Sequence, residues 1–320
     1  MEVEKRPDLS VQLSGIELKN PVILASGTCG FGEEIAEFID LNKVGAIVTK
    51  TVTLDPKEGN PPPRIAEVEG GIVNSIGLEN PGVEEFISGK LPFLKGLQTP
   101  FFVSISGNTV NEFQRLAAIL DKEKSISAVE LNLSCPNITH GNCLFAQDPK
   151  ISYQTIKKVK EATSLPVIAK LSPQVTDITS IALACQDGGA DILCLMNTIP
   201  ALVIDREAKR PFLGGITGGL SGPAIKPIAL KMVFDVAGII SIPIIGCGGI
   251  MNGDDAIDFL LTGASAVAIG TSNLISPDST LQIIEEIEDY IIKHKFNAIK
   301  ELIGKLELLR PLKSQSYNSE

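Results

Sequence analysis

Ala128-Val129-Glu130-Leu131-Asn132-Leu133-Ser134-Cys135-Pro136-Asn137 is the stretch whose reading decides the fold. Val129, Leu131 and Leu133 alternate with other residues, which is the period of a β-strand. Pro136 cannot donate to a sheet ladder, so the strand stops before it. Asn132, Ser134, Cys135 and Asn137 are then gathered at one strand end and in the loop after it. Asparagine offers donors and acceptors suited to the edge of a planar amide ring. Cysteine is a titratable thiol, able to act as base or nucleophile. A free cysteine is more often a small buried core residue. The polar company of Cys135 favours chemistry.

Working outward, seven more apolar runs have the same character. The expected strands are 21–25, 46–49, 101–104, 128–132, 166–170, 191–196, 243–246 and 266–269. Amphipathic stretches predict helices at 33–41, 82–89, 110–120, 151–162, 177–186, 224–236, 256–261 and 279–294. Eight strand–helix units in one chain predict an α/β fold, a closed (β/α)8 TIM barrel forming a single domain over 1–320. The structural alternative is an open doubly wound sheet. It calls for G-x-G-x-x-G after the first strand, which Ser26-Gly27-Thr28-Cys29-Gly30-Phe31-Gly32 does not supply. Two connections, 51–81 and 197–223, are too long for simple turns. Both follow strands, so both are expected as insertions at the C-terminal face, where barrel active sites lie.

Composition narrows the function classes. Of the 320 residues, 44% are hydrophobic and 21% charged, which supports a sizeable core and no disorder. The net charge of −10 argues against a general nucleic-acid surface. None of the six cysteines stands in a C-x-x-C arrangement and there are only two histidines, so no metal or iron–sulfur site is expected in this chain. Scattered cysteines and a charged start without an apolar signal region fit a cytoplasmic protein. The most apolar window, 233–251, contains Asp235, Pro243 and glycines. It reads as a helix end running into a buried strand, not a membrane span.

The strand ends carry the functional signal. They run Ser26, Lys50, Ser104, Asn132, Lys170, Asn197, Gly248 and Gly270. Two lysines and two asparagines would converge on one mouth. A buried lysine needs a partner, and an anionic ring-shaped ligand would supply one. The glycine loops Gly246-Cys247-Gly248-Gly249 and Gly270-Thr271-Ser272 follow the last two strands, the usual phosphate position of such barrels. A phosphate there, with Lys170 and Asn132 nearer the centre, suits flavin mononucleotide (FMN).

Four motifs occur in order: Asn74-Ser75-Ile76-Gly77-Leu78-x-Asn80-Pro81-Gly82, Asn132-x-Ser134-Cys135-Pro136-Asn137, Gly219-Leu220-Ser221-Gly222 and the paired glycine loops. In these the chain, from Leu9 to Ser272, resembles the dihydroorotate dehydrogenases, FMN enzymes of pyrimidine biosynthesis. Cysteine at position 135 looks like class 1; class 2 enzymes use serine and add an N-terminal membrane helix. Gly59-Asn60-Pro61-Pro62-Pro63-Arg64, His140-Gly141 and the run from Gly218 to Pro223 look like subtype 1B.

The resemblance implies oxidation of (S)-dihydroorotate to orotate. Cys135 would be the base that takes the C5 proton while a hydride passes from C6 to the flavin. Lys50, Asn74, Ser75, Ile76, Gly77, Leu78, Asn132, Asn197 and Thr198 would hold the substrate. Ser26, Lys50, Thr51, Asn108, Asn132, Lys170, Met196, Gly222, Gly248, Gly249, Gly270 and Thr271 would line the FMN. The segment 136–148 would cover the site. Subtype 1B further implies a second subunit carrying FAD and a [2Fe–2S] cluster that passes electrons to NAD, around a homodimeric core in a heterotetramer. Asn142, Ala146 and Cys29 depart from the family pattern and bear on the mobility of the covering loop. Three other readings stay open at this stage. They are subtype 1A, a homodimer using fumarate; a flavin-free phosphate-binding lyase or synthase; and a scaffold subunit without catalysis.

Overall fold

The computed structural model describes residues 6–134, 136–137 and 143–308, with backbone alone at 136, 137 and 143. Cys135, His140, Gly141 and Asn142 lie outside the described residues.

Eight parallel strands close into a barrel. They are β1 (Val22–Leu24), β2 (Ala46–Val48), β3 (Phe101–Ile105), β4 (Ala128–Asn132), β5 (Val167–Lys170), β6 (Ile192–Leu195), β7 (Ile244–Cys247) and β8 (Ala266–Ile269). Each pairs with the next in sequence, and β8 returns to β1 through Val267↔Val22. All eight coincide with the expected runs to within two residues at either end. A parallel strand covered on both faces must be apolar nearly throughout, and these are.

Four of the helices start where the sequence supplies a side-chain cap. Thr109, Asp148, Asp177 and Asn252 each accept a hydrogen bond from a first-turn N–H. The helix Val110–Leu120 then buries Phe113, Leu116, Ala117 and Leu120, one stripe at helical spacing. The N-terminal hairpin, Val11–Leu13 paired with Ile16–Leu18, closes the other end of the barrel. Leu13 and Leu18 are fully buried, and the Ser14 hydroxyl donates to the Asp191 carbonyl just ahead of β6.

The helix expected at 33–41 is not there. Two 3₁₀ turns, Ile35–Glu37 and Leu41–Lys43, take its place. Asp40 breaks the run: it is extended, and its side chain accepts from the Asn42 N–H, a local bond that competes with helix. The helical stretch expected at 82–89 runs on instead to Lys95, through a π turn at Phe86–Lys90 and the helix Leu91–Lys95.

The two long loops meet. Ile65–Val68 and Gly71–Asn74, which follow β2, form a hairpin. Gly218–Ser221, which follows β6, pairs antiparallel with Gly71–Asn74 and on its other edge with Ile199–Ala201. β2 and β6 stand opposite each other in the ring, so this four-stranded sheet spans the barrel mouth. Among the described residues, no helix is long and apolar enough to cross a membrane.

Candidate active site

Below the spanning sheet lies a cavity of about 280 Å³, and every barrel strand or the residues just after it contribute to its wall. Ser26, Lys50, Thr51, Asn132, Lys170, Met196, Asn197 and Thr198 line it from β1, β2, β4, β5 and β6. Gly248, Gly249, Gly270 and Thr271 line it from β7 and β8. Asn74, Ile76 and Leu78 face it from the loop after β2. The lysines and asparagines singled out in the sequence thus share one space.

Four expected site residues stand apart from that wall. The Ser75 hydroxyl accepts from Asn60 and donates to the Thr217 carbonyl, so it ties the two loops together. Gly77 lies in the same loop. At Asn108 the backbone N–H donates to Glu112 at 2.8 Å, ahead of a helix. Gly222 is packed against the spanning sheet, where an added Cβ would stand 2.7 Å from the Gly71 Cα. Cys135, the expected base, lies outside the described residues.

Hydrogen bonds fix the amide groups of the wall. The Asn197 side-chain nitrogen donates to Asn132 Oδ1 at 3.1 Å and to the Ser134 hydroxyl at 3.0 Å. Asn197 Oδ1 accepts from the Thr198 N–H at 2.8 Å. This orients both asparagines and brings Ser134, next to position 135, into the same network. On the opposite wall Thr51 Oγ1 and Ser104 Oγ are 3.0 Å apart, and Ser26 donates to the Thr49 carbonyl.

The glycine loops contribute backbone. Gly249 has φ +76°, and an added Cβ would stand 2.6 Å from the Lys226 nitrogen and 2.9 Å from the Gly222 carbonyl. No side chain fits there, so the backbone forms the surface. This cradle, an amide-rich wall and two lysines are a donor set that fits an aromatic phosphate monoester.

Among the wall residues not singled out in the sequence, two are titratable groups on barrel strands. Glu130 sits on β4, two residues below Asn132, and is 1% exposed. It reads in sequence as part of an apolar run; the signal was a lone charge inside that run. Its Oε1 is 3.7 Å from the Lys170 ammonium. Burial works against the charge on Lys170, but Glu130 first, with the thiols of Cys194 and Cys247, together outweigh it and hold the lysine above its ordinary range. Cys247, at the end of β7, is the second. The neighbouring Cys194 thiol and the nearby Lys170 draw its thiol below the usual range against the effect of burial. Cys29 is different: burial first, then Glu34, pushes its thiol up to about 12, and it points at the Ala25 and Val48 carbonyls. That makes Cys29 an inert packing residue.

The dihydroorotate dehydrogenase family model matches residues 8–291. The chain belongs to that family. Several bacterial dihydroorotate dehydrogenases B (NAD(+)), catalytic subunits, are similar over nearly the full length. The protein of Geobacter metallireducens is 51% identical over 304 residues, 95% of this chain and 100% of its own. That of Geobacter sulfurreducens is also 51% identical over 304 residues. That of Caldicellulosiruptor saccharolyticus is 49% identical over 301 residues, 94% of this chain. The likeness to subtype 1B read from the motifs is the one these dihydroorotate dehydrogenases carry in their names.

Proposed function

We propose that this chain is a single-domain catalytic subunit that oxidises (S)-dihydroorotate to orotate, with FMN in the barrel mouth. Dihydroorotate dehydrogenases are flavin-dependent, and FMN, when bound, supplies the hydride acceptor. The observation that carries the reading is the cavity itself. Asn74, Asn132 and Asn197 present amides there beside Lys50, while backbone alone forms the wall at Gly249.

In this reading Lys50 meets the substrate carboxylate, and the asparagine amides match the imide edge of its ring. Ser75, Gly77 and Gly222 support the site through the spanning sheet instead of touching ligand. Cys135 takes the C5 proton, and Asn197 orders the strand end that leads to it through Ser134. Lys170 would supply a positive charge to the ring of the flavin, and the loops at Gly248, Gly249, Gly270 and Thr271 would hold its phosphate. The sheet joining the two long loops excludes bulk water.

A second subunit with FAD and a [2Fe–2S] cluster takes the electrons on to NAD, in the cytoplasm. The name of the relatives, NAD(+) catalytic subunits, supports a separate partner and NAD as acceptor; the FAD and the cluster rest on the likeness to subtype 1B. The chain purified alone is expected to be yellow and to bleach on anaerobic addition of dihydroorotate. It is expected to reduce dyes well and NAD poorly until the partner is added. A colourless chain that fails to take up FMN sinks the reading. Brisk fumarate reduction without a partner replaces subtype 1B with 1A.

A further inference from the structure

Glu130 and Lys170 are the only charged residues in the eight barrel strands. They stand on neighbouring strands, facing the same interior. The register pairs Lys170 with Asn132 and Ile168 with Glu130. Side chains two residues apart on a strand share a face, so Glu130 lies one layer deeper than Lys170 and Asn132. Glu130 is 1% exposed and Lys170 7%. Their charged atoms are 3.7 Å apart, and Glu130 Oε1 has no hydrogen-bond partner.

Packing does not explain this pair. Replacing a buried ion pair by apolar residues of similar volume is often neutral or stabilising, whereas losing one member leaves a costly lone charge. A barrel that needed only a core would place aliphatic residues at both positions, as it does elsewhere in these strands. Glu130 cannot hydrogen-bond its way to stability either, since one oxygen is unpartnered. What the carboxylate does supply is a fixed negative charge under an ammonium that lines the cavity.

We propose that Glu130 is a positioning residue, whose buried carboxylate keeps Lys170 charged and held at the cavity wall, so that an anionic ring or phosphate ester entering the mouth always meets a cation. This rests on the reading of the mouth as an FMN site, but the charge state of Lys170 can be read without FMN. Besides Glu130 from β4, the groups facing Lys170 among the described residues are the thiols of Cys194 on β6 and Cys247 on β7. Cys29, in the loop after β1, is within the same field. Cys29 and Cys194 are held as neutral thiols, whereas Cys247 gains charge as pH rises, so every chain titrated carries Cys247→Ser. With Glu130 made neutral, burial is left as the dominant influence on the lysine, and a buried lysine without a partner titrates in or below the neutral range. The sign follows. In the native chain the raised lysine stays protonated at all pH values below its ordinary range, so the pair is silent near neutrality. In Glu130→Gln the ammonium is lost as pH rises through neutrality.

The flavin-stripped chain, labelled at lysine Cε with 13C, is titrated by NMR across roughly pH 6–9, with Lys170→Met assigning the signal. The native Lys170 signal is expected to stay flat, that of Glu130→Gln to titrate, and that of Glu130→Asp to return towards flat. A Glu130→Gln signal that stays at the ammonium position over the whole range overturns the proposal, because a residue that merely filled space would leave the lysine charged; a signal already at the neutral-amine position supports it as titration does. FMN affinity, measured by quenching of flavin fluorescence, is expected to be level over the same range in the native chain. In Glu130→Gln it is expected to fall roughly 10- to 100-fold as pH rises, the worth of one hydrogen bond to a charged group. Absence of FMN binding in every variant would fail the cofactor reading while leaving the NMR result intact. Should Glu130→Gln not fold, Glu130→Gln/Lys170→Met is read instead. Recovery of folding supports the charge coupling, and no recovery overturns it.

Discussion

The two halves of the barrel mouth are built from different materials. From β2 to β6 the strand ends present side chains: Lys50, Ser104, Asn132, Lys170 and Asn197. At β7 and β8 they present bare backbone at Gly248, Gly249 and Gly270. The side-chain half can discriminate, because each amide or ammonium demands its own partner. The backbone half can only cradle, and it does so by keeping Cβ atoms out. One ligand lying across both halves would be recognised by its ring at one end and merely held at the other. Substitutions in the two halves should therefore fail differently, in rate on one side and in retention on the other.

The largest effect is expected at Cys135, which follows β4 in the sequence. Cys135→Ala should leave the chain folded and yellow while flavin reduction by dihydroorotate falls roughly 10²–10⁴-fold, the usual worth of one acid–base group. Cys135→Ser should keep some rate with its optimum at higher pH. Stopped-flow bleaching reads both, and a near-native rate in the alanine variant would take position 135 out of the mechanism.

Next is Gly249, on the backbone half. Alanine there would combine a φ of +76° with contacts of 2.6 Å to the Lys226 nitrogen and 2.9 Å to the Gly222 carbonyl. Strained backbone of this kind costs about 1–3 kcal/mol before any clash is counted. The chain should purify with little or no flavin, and what flavin it keeps should still be reduced at a near-native rate. A variant that retains flavin but reduces it slowly would erase the contrast between the halves.

The smallest effect is expected at Gly270, which shares the backbone half with Gly249 but not its constraint. Its φ is −115°, and an added Cβ would meet only Thr28 Cγ2 at 3.6 Å and Ala25 Cβ at 3.8 Å. Gly270→Ala should alter stability by no more than about 0.5 kcal/mol in a chemical unfolding titration. A much larger loss would mean that close packing is general to this half instead of particular to the loop after β7.

Much of this was readable in advance, for physical reasons that differ from place to place. The eight strands are covered on both faces, so each is a short apolar run, and such runs stand out between capped helices. The convergence of Lys50, Asn132, Lys170 and Asn197 follows from strand order alone, because a closed barrel brings all strand ends together. The segment 33–41 misled because Ile35, Phe38 and Ile39 have helical spacing, while the bond from Asn42 to Asp40 that breaks the run is local and polar. The pairing of Gly71–Asn74 with Gly218–Ser221 was hidden for another reason. Glycine-rich edges carry no alternating pattern to reveal a partner, so register there is set by tertiary contacts. Glu130 was passed over because a single charge in an apolar strand looks like noise until the opposite charge on β5 is seen beside it.

The spanning sheet also imposes a timetable on the protein's synthesis. Asn74 donates from its side chain to the carbonyl of Gly219, 145 residues later. At 5–20 residues per second, roughly 7–30 s separate the appearance of the two partners on the ribosome. Throughout that interval the hairpin after β2 waits with one edge unpaired and no roof over the nascent mouth. Cofactor loading is therefore a late event, open only to a nearly finished chain, and a messenger truncated before β6 yields a product that cannot be rescued by supplying flavin.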